Sequence, residues 1–134
     1  MGYDLGQEIR ELKKKKNVTI LAHYYEDGAI QDLADHVGDS YFLAQKGQQE
    51  KADIILLAGV VFMAESVKIL NPTKTVLVPD INAGCSLVDS SPFDKYYAWR
   101  KANPEAIAVT YINSSAEVKS ISDVIITSSN AEKI

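Results

Sequence analysis

Short apolar runs alternate along this chain with segments whose apolar residues recur every three to four positions, and this alternation restricts the fold more than any other feature. Val18 to Ala22, Ala52 to Ala58, Thr75 to Val78, Ala106 to Ile112 and Asp123 to Thr127 read as strands. Leu5, Ile9 and Leu12 share one face of a helix over residues 4–16. Ile30, Leu33, Ala34 and Val37 form the stripe of a second helix, closed by Gly38. Asp39-Ser40 caps a third that runs to about Lys51. Met63, Val67 and Leu70 mark a core-facing fourth, stopped by Asn71-Pro72. Pro92 opens a helix over 92–102, and Ser114 to Ser120 forms another. Ser129-Asn130-Ala131-Glu132 opens a last helix, which Ile134 leaves unfinished. Strands apolar on both faces, separated by helices, predict an α/β fold of parallel, three-layer units.

The units read as weak repeats. Ala52-Asp53-Ile54-Ile55-Leu56-Leu57 aligns with Ser122-Asp123-Val124-Ile125-Ile126-Thr127. The expected organisation is a complete first α/β domain over 1–84 and a second over 85–134, truncated before its third strand. Such a chain leaves apolar faces uncovered, an aggregation risk.

Charge narrows the partners. The net charge of −4 and the pI near 5.1 leave no basic footprint for nucleic acid. Lys13 to Lys16 fall in the last turn of a helix, where cations favour the carbonyl end of the dipole. The longest apolar run, Ile54 to Ala58 continued by Val60 to Ala64, is shorter than the roughly 20 residues a bilayer needs, so no membrane association is expected. Met1 to Gly6 has no apolar signal core, and the expected compartment is cytoplasmic. A single cysteine, Cys85, excludes an intramolecular disulfide; it is a buried small residue, a reactive thiol or a metal ligand.

In parallel α/β units ligands bind beyond the carboxyl ends of the strands. The residues at those ends are His23, Tyr24 and Tyr25; Gly59; Gly84-Cys85-Ser86; Tyr111 and Asn113; and Ser128, Ser129 and Asn130. They supply proton carriers, neutral hydrogen-bonding groups and a thiol, with no acidic cluster suited to magnesium. His23 fits an acid or base, or a satisfied structural histidine. Strand alternation places Tyr25 on the His23 side and packs Tyr24 away. His36 reads as a solvated helix residue, and Glu26, Asp27, Asp35 and Asp39 as loop and cap residues. Tyr96 or Tyr97 and Trp99 read as core packing. Ser114-x-x-Glu117 and Ser129-x-x-Glu132 fit capping boxes, whose turns could also hold an anion. Cys85 as a nucleophile wants a base such as His23. As a cluster ligand it wants companion thiolates that the chain lacks. A receiver-like module is disfavoured, because Ala22-His23-Tyr24-Tyr25 stands where an acidic pair is needed.

Taken in order, these motifs resemble the quinolinate synthases. They are His23-Tyr24-Tyr25, Ile30-Gln31-Asp32, Gly38-Asp39-Ser40, Gly59 to Glu65, Asn71-Pro72, Pro79-Asp80 with Ala83-Gly84-Cys85-Ser86, Val109 to Lys119, and Thr127 to Ala131. The resemblance implies three α/β domains with pseudo-threefold symmetry around a central cavity. It implies a [4Fe–4S] cluster held by three cysteines, with Cys85 the first and two outside this chain. The implied reaction condenses iminoaspartate with dihydroxyacetone phosphate to quinolinate, with a functional link to L-aspartate oxidase or aspartate dehydrogenase. By the same resemblance His23 and Tyr25 are acid–base groups, and Ser40 and Ser128 bind carboxylate or phosphate. Tyr111, Ile112 and Asn113 hold substrate. Family chains are more than twice this long, so the chain alone is expected to be an inactive fragment.

Overall fold

The computed structural model describes Gly2 and residues 4–134; Met1 and Tyr3 of the opening hexapeptide lie outside the described residues. Helix α1 (Leu5–Lys16) starts where the Asp4 carboxylate accepts from the Gln7 N–H at 3.0 Å. It ends at Asn17, which takes the left-handed conformation at φ 53°. Its apolar face is only partly covered, since Leu5 and Leu12 are exposed.

Strand β1 (Val18–His23) follows and is buried through Thr19, Ile20, Leu21 and Ala22. It lies inside a four-stranded parallel sheet, with β2 (His36–Gly38) on one side and β3 (Ile54–Ala58), then β4 (Thr75–Leu77), on the other. The connecting helices are α2 (Gly28–Gln31), α3 (Ser40–Gln49) and α4 (Val61–Leu70). The core joins Leu21, Ile55 and Leu57 of the sheet to Leu43 and Ala44 of α3 and to Phe62, Met63, Ala64 and Val67 of α4. This is the three-layer α/β unit expected from alternating strands and helices. Leu70, expected in that core, is exposed.

Residues 33–38 depart from expectation. Instead of a helix running to Val37, α2 is a single turn and His36–Gly38 is the edge strand β2, in register Leu21↔His36 and His23↔Gly38. The reason is backbone satisfaction. The Asp35 N–H donates to the Ile20 carbonyl, and the Ile20 N–H donates to Asp35 Oδ2, each at 2.8 Å. Buried β1 would otherwise present unpaired donors and acceptors, a cost that outweighs a weak helical stripe. His36 is thus a half-buried strand residue, with Nε2 2.5 Å from Glu50 Oε1, and not a solvated helix residue. Gly38 permits this path, because a Cβ there would lie 2.3 Å from Phe42 Cδ1.

Beyond β4 a loop leads to the short α5 (Ser86–Asp89) and to α6 (Phe93–Ala102). Cys85 and Val88 pack against the core of the first sheet. Helix α6 contributes no buried residue, contrary to the core role expected for its aromatics. Tyr96 stacks on Trp99 at 5.9 Å and bonds through its hydroxyl to Thr110 and Ser122, while Tyr97 and Trp99 are exposed. Strands β5 (Val109–Tyr111) and β6 (Val124–Ile126) form a two-stranded parallel sheet joined by α7 (Ala116–Ser120). Ser115, not Ser114, caps α7, its Oγ accepting from the Val118 N–H at 3.2 Å. Ser114 is buried and donates to the Tyr111 carbonyl. The second capping box is also displaced. Ser129 bonds to Thr127 Oγ1, and Asn130 Oδ1 accepts from the Thr127 N–H at 2.7 Å ahead of a 3-10 turn at Ala131–Lys133.

The second sheet repeats the bonds of the first. The Asp123 N–H donates to the Ala108 carbonyl, and the Ala108 N–H donates to Asp123 Oδ2, again each at 2.8 Å. Lys13 pairs with Asp35 at 2.7 Å, as Arg100 pairs with Asp123 at 2.9 Å. These bonds set Asp123 against Asp35, whereas the sequence alignment above set it against Asp53.

Candidate functional site

The carboxyl ends of both sheets open into one cleft of about 660 Å³. Its walls include His23, Tyr25, Ser40, Cys85, Tyr111, Ile112, Asn113 and Ser128, whereas Asn130, also placed at a strand end by the sequence, lies outside them. Each arrives by a local device. His23 ends β1, and the chain turns immediately after it, so Tyr24 and Tyr25 do not alternate as strand residues. Both tyrosines are exposed and both contact the imidazole, with ring centroids 4.6 Å and 4.5 Å away. Tyr24, expected to pack away, therefore lines the cleft with Tyr25.

Ser40 is the first residue of α3, positioned because the Asp39 carboxylate accepts from the Phe42 N–H at 2.8 Å. Cys85 lies in a loop fastened to α4. Asp80 Oδ1 accepts from the Asn82 N–H at 2.8 Å, and the Ala83 carbonyl accepts from the Val61 N–H at 2.9 Å. The half-buried thiol takes a hydrogen bond from Asn113 Nδ2 at 3.7 Å. That contact bridges the two sheets, and it gives Cys85 an amide neighbour where the nucleophile reading wanted His23. Across the cleft the Tyr111 hydroxyl and Ser128 Oγ lie 2.8 Å apart. Ile112 is buried, and its N–H donates to the Ile126 carbonyl at 2.8 Å, which holds the loop after β5 on β6.

Electrostatics sort these groups. Burial pushes the His23 pKa below the ordinary histidine value, against the opposing pull of Glu26 and Asp39. The imidazole is therefore neutral near pH 7 and able to take a proton. The Tyr24 phenol is shifted upward, first by its hydrogen bond with Tyr25, so it stays protonated and can donate. Glu26 and Asp39 are the charged side chains of the lining, and among the described residues no lysine or arginine lines it. An anion held here must rely on hydroxyls, backbone N–H groups and the N-terminus of the ten-residue α3.

Sequence reasoning missed Tyr41, Phe62 and Thr127 as cleft residues. Each adjoins a residue it did identify or a motif it quoted, and contiguity was the available signal. Among the described residues no group of three or more His, Cys, Asp or Glu side chains converges as a metal site. Cys85 thus offers one thiolate, which suits one corner of an iron–sulfur cluster and no more.

Comparison with known proteins gives this geometry a family. Residues 7–134 match the quinolinate synthetase A protein family. The chain belongs to that family. A quinolinate synthase of Nostoc sp. is 56% identical over 131 residues, which is 98% of this chain and 40% of that protein. The Gloeothece citriformis quinolinate synthase is 55% identical over 132 residues, 98% of this chain and 41% of its own. That of Ehrlichia chaffeensis is 54% identical over 130 residues, with 97% and 41% covered. The chain therefore spans about 40% of the length of the curated family members it matches. No helix among the described residues is long and apolar enough to cross a membrane.

Proposed function

We propose that this chain forms part of a cytoplasmic quinolinate synthase, a transferase condensing iminoaspartate with dihydroxyacetone phosphate, with loss of phosphate and water, in de novo NAD biosynthesis. The observation that carries the reading is the convergence of His23, Tyr25, Ser40, Cys85, Tyr111, Asn113 and Ser128 on one cleft in a chain of this family. Residues 1–84 then belong to a first α/β domain and 85–134 to a second. The iminoaspartate comes from an aspartate-oxidising enzyme, an L-aspartate oxidase or aspartate dehydrogenase.

Condensation and dehydration need a base that takes a proton beside a carbonyl and an acid that returns one to a departing hydroxyl. His23 suits the first role, because burial keeps its imidazole neutral. Tyr25, 4.5 Å from the His23 ring, suits the second. Ser40, at the start of α3, and Ser128, bonded to Tyr111, serve as donors to carboxylate or phosphate oxygens. Ile112 shapes the apolar floor, and Asn113 holds substrate beside the thiol. Cys85 contributes one ligand to a [4Fe–4S] cluster, with the other two outside this chain. When bound, that cluster would supply a Lewis-acid iron for substrate oxygen.

Two substitutions in the full-length protein test this. Cys85→Ser should abolish stoichiometric iron, and His23→Gln should lower the rate of quinolinate formation by about 100-fold or more while iron is retained. Normal iron content in Cys85→Ser would remove Cys85 as a ligand, and undiminished turnover in His23→Gln would remove the proposed base.

A further inference from the structure

The segment carrying Tyr111 and Asn113 is held by a contact that the chemistry above does not use. Helices α4 and α7 meet at Glu65 and Lys119. Glu65 Oε2 accepts from the N–H of Ala116, the first residue of α7, at 3.3 Å. Lys119, on the next turn of that short helix, donates from Nζ to the Ser114 carbonyl at 2.6 Å. Its ammonium also lies 5.6 Å from the centre of the Phe62 ring, which lines the cleft. Ser114 directly follows Asn113, whose amide reaches Cys85. The carboxylate therefore ties Ala116 to the helix whose N-terminus also anchors the Cys85 loop, and the ammonium, lying over Phe62 of that helix, holds the Ser114 carbonyl beside it.

We infer that Glu65 and Lys119 are a positioning pair that holds Asn113 against Cys85 and sets the spacing between the two walls of the cleft. The inference rests on the proposed function only in taking the cleft as the substrate site. Burial brings the Lys119 pKa down to about 8 against the opposing attraction of Glu65. The Lys119 side chain is half-buried, and an apolar side chain of similar volume often packs such a place without loss. Geometry gives its presence a different reason. A methionine at 119 could fill the space but could not grip the Ser114 carbonyl.

The test uses full-length protein freed of metal by chelation, with two readings: exchange of the Ala116 amide and the alkylation rate of Cys85, mapped by peptide mass. In Lys119→Met, Ala116 exchange should rise by about 10-fold or more relative to the core amides of Leu21 and Leu57. Cys85 alkylation should change by roughly 3-fold or more, because Asn113 no longer covers the thiol. Lys119→Arg, which keeps donor and charge, should restore both readings. Faster Ala116 exchange with unchanged Cys85 alkylation would make the pair a simple structural tie and overturn the inference. Failure of Lys119→Arg to rescue would overturn it as well. If Lys119→Met does not fold, Glu65→Ala removes the acceptor of the Ala116 N–H, and an unaltered Cys85 rate there has the same consequence. Both readings as expected, in a protein whose iron-loaded form makes no quinolinate, would refute the proposed function and leave the positioning pair intact.

Discussion

At His23 burial and acidity pull in opposite directions. Desolvation lowers its pKa below the ordinary histidine value of 6.5 more than Glu26 and Asp39 raise it. Between the folded value and 6.5 the unfolded chain binds more protons, so stability is retained above that window and lost as pH falls through it. Urea midpoints at pH 7.5 and 5.5 should therefore fall further in the wild type than in His23→Gln; equal losses would show that His23 does not titrate differently on folding. The Tyr111–Ser128 contact at 2.8 Å makes a second residue-level claim. Because the two hydroxyls share one hydrogen bond, Tyr111→Phe and Ser128→Ala should be non-additive in substrate KM, with a coupling of about 0.5–1.5 kcal/mol in a double-mutant cycle. Additive effects would mean that the residues act on substrate separately. Legibility differed among these residues. His23 and Ser128 were found by their position at strand ends. Tyr24 was misplaced, because alternation holds only while the strand continues, and this one turns.

The element that sequence reading lost was β2. The stripe at Ile30, Leu33, Ala34 and Val37 has helical spacing, yet Val37 joins His36 and Gly38 in an edge strand once Asp35 clasps Ile20 with both backbone and carboxylate. Asp123 makes the same clasp on Ala108, with Arg100 replacing Lys13 as the cation, and Arg100 also donates to the Ala106 carbonyl much as Lys13 donates to that of Leu33. Removing either carboxylate leaves a backbone N–H without its partner, that of Ile20 in β1 or of Ala108 just before β5. Asp35→Ala and Asp123→Ala should each cost about 1–3 kcal/mol in denaturant unfolding, and Asn should recover part of that loss. Asp35→Ala should also speed amide exchange in His36–Gly38 selectively; uniform acceleration over the chain would contradict the clasp. The matched bonds set His23 against Tyr111 and Ser40 against Ser128. Equivalent positions of the two sheets thus face one cleft.

For the whole molecule the surface area is the informative quantity. At 14.7 kDa the chain exposes 8696 Å², against roughly 6,900 Å² for a compact monomer of that mass. The excess includes large apolar side chains: Ile81 is 71% exposed and Ile107 75%, with Ile69, Leu77, Val109 and Trp99 also open. Large apolar side chains left open to water favour association where they cluster. Expressed as these 134 residues, the chain should bind a hydrophobic dye such as anilinonaphthalene sulfonate and associate as concentration rises, and Ile107→Lys should reduce both. A dye-silent monomer across the micromolar range would show that these side chains are covered in solution by another route.

The alternation of apolar runs and amphipathic segments determined the α/β class, most element positions and the list of strand-end residues. Those properties follow from local periodicity and from the rule that parallel strands deliver ligand-binding side chains at their carboxyl ends. Tertiary structure decided the rest. It chose strand over helix at His36–Gly38, moved the α7 cap from Ser114 to Ser115, drew Tyr24 into the cleft, and set Glu65 of α4 against the first residue of α7, far away in sequence. The edge strand and the Glu65 contact depend on whether a backbone polar group finds a partner brought in from elsewhere along the chain, and local patterns carry no record of that partner.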